Sequence, residues 1–334
     1  MRNVASRRLH QFRRVLLLVV GTVALAIPTA DVAFSQSGTG SPVGTPAFTA
    51  IDLNPTGFVE SWASGISGGE QVGDGSGSAT GGQTHALLWR GSAESVVDLH
   101  PSGLAGSRAM GVSGGEQVGY SDPTTWCRHA LLWRGSAESV VDLHPSGFDC
   151  SQAYGGSGGQ QVGWVDPPGP SGSHAMVWRG SAASLVDLPP SGSDGYHAVG
   201  ISESEQVGDR GHALLWHGSA ASIVDLNPSG FEESHASGTS DGEQAGYGSG
   251  PATGGQTHAL LWRGSAATVV DLHPSGFALS EAHGISGGRQ VGWGHRCGHG
   301  EHSSRAAVAG QRGQCGGPAC VSPPRLCGIH RFRH

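Results

Sequence analysis

The chain has 334 residues, of which 37% are hydrophobic and only 13% charged, with 58 Gly and a formal net charge of −7. So little core-forming material with so much Gly argues against a helical or doubly wound enzyme and for short strands joined by tight turns. Every basic residue is Arg, and Arg2, Arg7, Arg8, Arg13 and Arg14 crowd the first 14 positions; without them and Asp31, 14 basic residues face 25 acidic ones, which argues against a nucleic-acid partner.

Behind the Arg cluster, residues 15–27 (VLLLVVGTVALAI) form an apolar run of 13 residues. That is too short to cross a hydrocarbon core of about 30 Å as a helix, and it suits the core of a signal peptide. Residues 1–35 are therefore read as a signal peptide, cleaved after Ala33-Phe34-Ser35 or near Ala30, with an uncleaved anchor as the competing reading. The expected product is secreted or at the cell surface, with no membrane span after cleavage. Residues 36–47 read as a linker.

Residues 48–293 repeat one module of about 45 residues. Asp-Leu anchors stand at Asp52, Asp98, Asp142, Asp187, Asp225 and Asp271, spaced 46, 44, 45, 38 and 46 apart. Each is followed after 21 residues by the Gly ending a Q-V-G-like triplet: Gly73, Gly119, Gly163, Gly208, Gly246 and Gly292. Five copies continue into His-Ala-apolar-apolar-Trp, with His85 and Trp89, His129 and Trp133, His174 and Trp178, His212 and Trp216, and His258 and Trp262. Each of these His lies 13 residues before the next Asp, so all length variation falls between the Gly and the His. A one-residue slip turns every strand side chain to the opposite face, whereas a loop gains residues at small cost. The two locked spans are the expected sheet, and the elastic span is the expected loop.

Four strands per module follow, around SWASGIS (61–67), EQVGD (70–74), THALLWR (84–90) and SVVDL (95–99). Ser-Gly-Gly-Glu (67–70) supplies a tight hairpin turn, and Pro55, Pro101, Pro145, Pro190, Pro228 and Pro274 end the Asp-Leu strand. The fold class expected is all-β, built from tandem four-stranded modules, propeller-like and incomplete at its C-terminal end. The stretches GISGGEQVG (65–73), HALLW (85–89) and VVDL (96–99), with their equivalents, resemble the HAF repeat of extracellular bacterial proteins, with Leu or Met where that family has Phe. The resemblance implies export and repetition and carries no established activity.

Chemistry-bearing patterns meet a structural alternative at every step. G-x-S-x-G recurs five times, yet a nucleophile elbow needs one Ser on a strand-to-helix turn, and these lie in strand-to-strand hairpins. The module His and Trp lie four apart, hence on one face of a strand, where Trp packing between sheets and His bonding across strands suffice. The Asp anchors are expected to accept turn N–H groups. His100, His144 and His273 follow three anchors, but Asn54, Asn227 and Pro189 replace them elsewhere, which argues against a ring of His ligands. No catalytic residue, metal site or cofactor is expected. Cys127 and Cys150, 23 residues apart in an exported chain, form the candidate disulfide.

Ligand contacts are expected in the elastic loops, where Tyr120, Trp126, Trp164 and Tyr247 stand as aromatic candidates for stacking on a surface polysaccharide or protein. Residues 294–334 leave the pattern and are expected to be disordered; their Cys297, Cys315, Cys320 and Cys327 lack the paired spacing of a zinc site. Back-translation of residues 304–320 with permitted codons, read from the second base, spells HALLWRGSAASVVDLH, a seventh copy of the most regular segment. That is the signature of a frameshift between Trp293 and Ser304. The function expected is an exported, non-catalytic repeat scaffold; the alternative is a carbohydrate- or polymer-binding propeller, and a propeller hydrolase or lyase ranks third.

Overall fold

The computed structural model describes residues 51–122, 127–189 and 195–296; the expected signal peptide and linker, Trp126 and residues 297–334 lie outside them. Sheet 1 contains β1 (Phe58–Ser67), β2 (Glu70–Gly77), β3 (His85–Trp89) and β4 (Val97–Asp98). Sheet 2 contains β5 (Gly106–Ser113), β6 (Glu116–Asp122), β7 (Ala130–Trp133) and β8 (Val141–Asp142). Sheet 3 contains β9 (Cys150–Ser157), β10 (Gln160–Asp166), β11 (His174–Trp178) and β12 (Val186–Asp187). Sheet 4 contains β13 (His197–Ser202), β14 (Glu205–Asp209), β15 (Ala213–Trp216) and β16 (Val224–Asp225). Sheet 5 contains β17 (Glu233–Ser240), β18 (Glu243–Ser249), β19 (His258–Trp262) and β20 (Val270–Asp271). Sheet 6 contains β21 (Phe277–Ser286) and β22 (Arg289–Arg296).

The strands follow chain order across each sheet, so the all-β, tandem four-stranded reading holds. Two boundaries differ from expectation. The SVVDL segment is a strand only at Val97–Asp98, because residues 93–95 close a 3-10 turn in which Ser95 Oγ takes the backbone N–H of Arg90 at 2.7 Å. The second strand in turn runs past the Gly of Q-V-G, to Gly77 in sheet 1, and β22 extends to Arg296. No helix among the described residues is long and apolar enough to cross a membrane.

Each motif letter has a steric or hydrogen-bonding cause. Gly68 and Gly69, at φ 58° and 82°, supply the two left-handed positions of the β1–β2 turn. The Gly of Q-V-G faces a bulge in the first strand, between Ala63 and Gly65 in sheet 1. A Cβ at Gly73 would land on the Trp62 carbonyl oxygen, and the same holds at Gly119, Gly208, Gly246 and Gly292 against Arg108, His197, His235 and Glu281. The Gln two residues earlier is buried: the side-chain oxygens of Gln71, Gln117, Gln206 and Gln244 accept the N–H of the Gly after each Trp at 2.7–2.8 Å. One amide side chain thereby fixes the turn between third and fourth strands.

The core is made between successive sheets. Compactness divides the chain into two units, the first holding sheets 1 and 2 with β9, the second β10 to β22. In the first unit, Trp133 packs with Leu99, Val72 and Leu88 of the preceding module. In the second, Trp216 packs with Leu188 and Val162, and Trp262 with Leu226 and Val207. All five module Trp are fully buried and their indole N–H groups find no acceptor among the described residues, so shape holds these rings.

Candidate functional site

The 13-residue lock is a His–Asp pair. His85 Nδ1 lies 2.7 Å from Asp98 Oδ2, and the distances are 3.0, 3.0, 3.0 and 2.7 Å for His129–Asp142, His174–Asp187, His212–Asp225 and His258–Asp271. The other oxygen, Oδ1, accepts the backbone N–H two residues on, from His100, His144, Asn227 and His273 at 2.8 Å and, in Asp52, from Asn54 at 2.9 Å. Both expected roles, His bonding across strands and Asp accepting a turn N–H, are therefore met by one carboxylate. The arrangement is a turn clamp.

The residue after Asp-Leu extends the clamp into the next module. His100, His144 and His273 each place Nδ1 2.8–2.9 Å from a Ser hydroxyl seven residues on, at Ser107, Ser151 and Ser280. Where Asn stands instead, Ser234 donates to Asn227 Oδ1 at 2.7 Å and Ser61 to Asn54 Oδ1 at 3.0 Å. The opposite nitrogen is equivalent too: His273 Nε2 reaches the Phe277 carbonyl at 3.1 Å, as Asn227 Nδ2 reaches that of Phe231. His and Asn alternate here because each offers one acceptor and one donor at the same reach. The fourth module has Pro189, and seven residues later Tyr196 replaces the Ser, so both partners are lost together.

Four of the five clamp Ser also accept the backbone N–H of an Ala in the preceding module: Ala86 by Ser107, Ala130 by Ser151, Ala213 by Ser234 and Ala259 by Ser280, at 2.9–3.0 Å. These four Ser have no exposed surface. Ser, His and Asp do meet, but as a buried link between sheets in which every hydroxyl is taken. Sequence reading missed these serines, although the paired change to Pro189 and Tyr196 marked them. Burial, with the neighbouring His85 or His258, holds the His100 and His273 pKa below the ordinary value.

A different set of side chains lies along the position just after the Q-V-G Gly: Asp74, Tyr120, Trp164, Asp209, Tyr247 and Trp293. Five of these meet a first-strand residue of the following module. Arg108 donates to Asp74 at 2.8 Å and also lies 3.5 Å from Asp122; Tyr120 lies 6.2 Å from Tyr154, and the Arg128 guanidinium covers the Tyr120 ring. Trp164 makes an edge contact with His197, His235 pairs with Asp209 at 3.3 Å, and Tyr247 lies 5.9 Å from His283. Within its own sheet Tyr247 stacks on His235, and Trp293 Nε1 donates to His283 Nε2 at 3.0 Å.

Electrostatics in this row differ from those of the clamps. Its hydrogen bond to Asp209 raises the His235 pKa; burial raises those of Asp74, Tyr120 and Tyr247. Tyr120, Trp164 and Tyr247 were expected in exposed loops. They lie instead on β6, β10 and β18, and Tyr120 is only 8% exposed, because the second strand continues past its Gly and turns that position toward the next module. Sequence reading also missed Asp74, Arg108, Asp209, His235 and His283. Their signal was a position that changes between Asp, Tyr and Trp beside one that is always Gly.

Cys127 and Cys150 are bonded, with Cα atoms 4.9 Å apart, joining the loop after β6 to the start of β9. Among the described residues no group of three or more His, Cys, Asp or Glu is placed to hold a metal ion.

No family model matches the chain, and no curated protein matches it by sequence. Solved structures do match. A puromycin hydrolase mutant complexed with PGG gives a TM-score of 0.52 at 16% identity over 73% of this chain, and the puromycin hydrolase itself 0.50 at 15% over 73%. TolB from Acinetobacter baumannii gives 0.43 at 12% identity, covering 68% of this chain and 61% of that one. This chain spans 42% of the length of the two hydrolase structures. At such identity the likeness is one of fold alone, and that fold is propeller-like.

Proposed function

We propose that the protein is an exported, non-catalytic repeat scaffold that presents its strand-end row, which changes from each module to the next, to a partner at the cell surface or outside the cell. The observation behind this reading is how the polar chemistry is spent: the repeated His, Asp, Ser and Gln are consumed in fixing turns and linking sheets. What varies from module to module is gathered along one row of second-strand positions, where change leaves the ladder intact. Export rests on the Arg-rich start and apolar run of residues 1–27, and the HAF-repeat resemblance agrees with it.

The test is expression in a bacterial host with fractionation and N-terminal sequencing. The expected product leaves the cytoplasm and begins at Gln36; an unprocessed cytoplasmic chain overturns the export reading. The carbohydrate- or polymer-binding alternative is favoured by half-exposed rings beside carboxylates, Tyr247 near Asp209, Glu233 and Glu281, and Trp164 against His197. A glycan array probed with the secreted protein and with Trp164→Ala and Tyr247→Ala variants decides it: binding lost in the variants supports a sugar site, and no binding removes it.

A further inference from the structure

Sheet 6 is two-stranded among the described residues, and the outer edge of β22 has no partner strand there. Two observations, on different sheets, show what is missing. On sheet 6, Val291 is 55% exposed, while its five counterparts Val72, Val118, Val162, Val207 and Ala245 are at most 1% exposed. In complete sheets that residue pairs with the second Leu of the third strand, as Val72 with Leu88 and Val207 with Leu215. On sheet 5, Leu272 is only partly buried, while Leu99, Leu143, Leu188 and Leu226 are fully buried, and Val270 is 40% exposed. Leu226 owes its burial to Leu260 and Trp262 of the next third strand, and Leu99 to Leu131 and Trp133. Both exposures therefore call for the same Leu-Leu-Trp side chains.

A polar group points the same way. Gln290 is 3% exposed and uses Nε2 on the Gly288 carbonyl at 3.3 Å, but its Oε1 has no donor among the described residues. In Gln71, Gln117, Gln206 and Gln244 that oxygen accepts the N–H of the Gly following the third-strand Trp. An edge strand with no partner among the described residues, an exposed valine and an amide oxygen without a donor is a template for strand addition.

We infer that the β22 edge is a docking site for one extended segment of pattern His-Ala-Leu-Leu-Trp-x-Gly, supplied by a second polypeptide carrying this repeat. It docks antiparallel to β22, with its second Leu across from Val291, its Trp across from Gln290 and its Gly N–H on Gln290 Oε1, the register of the other sheets. The inference rests on sheets 5 and 6 and is independent of export and of the strand-end row.

The probe is the synthetic peptide HALLWRGSAASVVDLH, the pattern spelled by the alternative frame over residues 304–320, added to the full chain and followed by fluorescence anisotropy, with sedimentation of the chain alone alongside. Saturable binding at one peptide per chain, weakened at least tenfold by Val291→Asp and by Asp in place of the peptide's second Leu, supports the site. Val291 is exposed, so this variant is expected to keep the circular dichroism of the parent, which checks that it is folded. Three results overturn the inference: no saturable binding, binding indifferent to both changes, or a chain that self-associates through Val291 and is not dissociated by the peptide, which would mean that contacts other than this strand cover the edge.

Discussion

His273 and His235 belong to the same unit, and both touch a neighbouring module, yet their surroundings are opposite in kind. His273 lies between the Ser280 hydroxyl and the Phe277 carbonyl, stacked 3.9 Å from His258, in a clamp that recurs with His or Asn wherever Pro189 does not interrupt it. His235 faces the Asp209 carboxylate and stacks on Tyr247, in a row where no two successive modules agree. The clamps repeat from one module to the next with the single interruption at Pro189, whereas the row changes at every step, through Asp, Tyr and Trp and then through the same three again. A repeat array can hold both because the first is satisfied by short hydrogen bonds at fixed backbone spacing. The second hangs from strand positions whose backbone is already paired.

If this division is right, the largest losses should come from the lattice. Gly246→Ala drives a Cβ onto the His235 carbonyl oxygen, a backbone atom that cannot swing aside, and should cost about 3 kcal/mol, as overpacking does. Urea unfolding measures it. Tyr247→Phe, the next residue along the same strand, keeps the ring and should cost less than about 0.5 kcal/mol, as substitutions outside such features do. Equal losses would erase the distinction between lattice and row.

The disulfide is the exception that sharpens the comparison, since it occurs once among the described residues and is structural nonetheless. Closing 23 residues of separation between Cys127 and Cys150 should contribute about 3 kcal/mol through the unfolded chain. Cys150→Ser, or reduction before urea unfolding, should lower the midpoint accordingly. No change would mean that the segment between them is already constrained when unfolded.

A smaller effect separates the clamp's shape from its chemistry. Ser234→Ala removes the acceptor of the buried Ala213 N–H and the donor to Asn227, and should cost about 2 kcal/mol. Asn227→His should cost under about 1 kcal/mol, because His273 makes the same two contacts in the next module. Thermal unfolding of both variants checks the pair, and a large loss from Asn227→His would end the equivalence.

How far the sequence carried this picture follows from what each spacing encodes. The 13- and 21-residue locks announced four short strands and a turn role for the Asp, but not that the cross-strand partner of each module His is that same Asp. Ser107 and Ser151 were illegible in a single module, because a Ser in a Gly-rich strand looks like filler until its partner seven residues back is seen. Tyr120 and Tyr247 were misplaced for a related reason. Pattern locates where length varies, but hydrogen bonding decides how far a strand runs before the loop begins, and β6 and β18 run through both tyrosines.

The finest test uses protons. Burial depresses the His100 and His273 pKa, so the unfolded chain binds protons more readily than the folded one between the folded value and the ordinary 6.5. Their stabilising contribution is thus full above about 6.5 and is lost as pH falls toward the folded value. His235 has the opposite sign: Asp209 raises its pKa, so its contribution is full below 6.5 and is lost as pH rises through the higher folded value. Melting temperatures taken from pH 5 to 8 should therefore respond in opposite directions to two substitutions. His273→Asn should flatten the fall on the acid side, since Asn keeps both hydrogen bonds and does not titrate, whereas His235→Asn should remove stability at pH 5 and change little at pH 8. Parallel shifts would show that clamp and row share one electrostatic environment, and the division between them would fail.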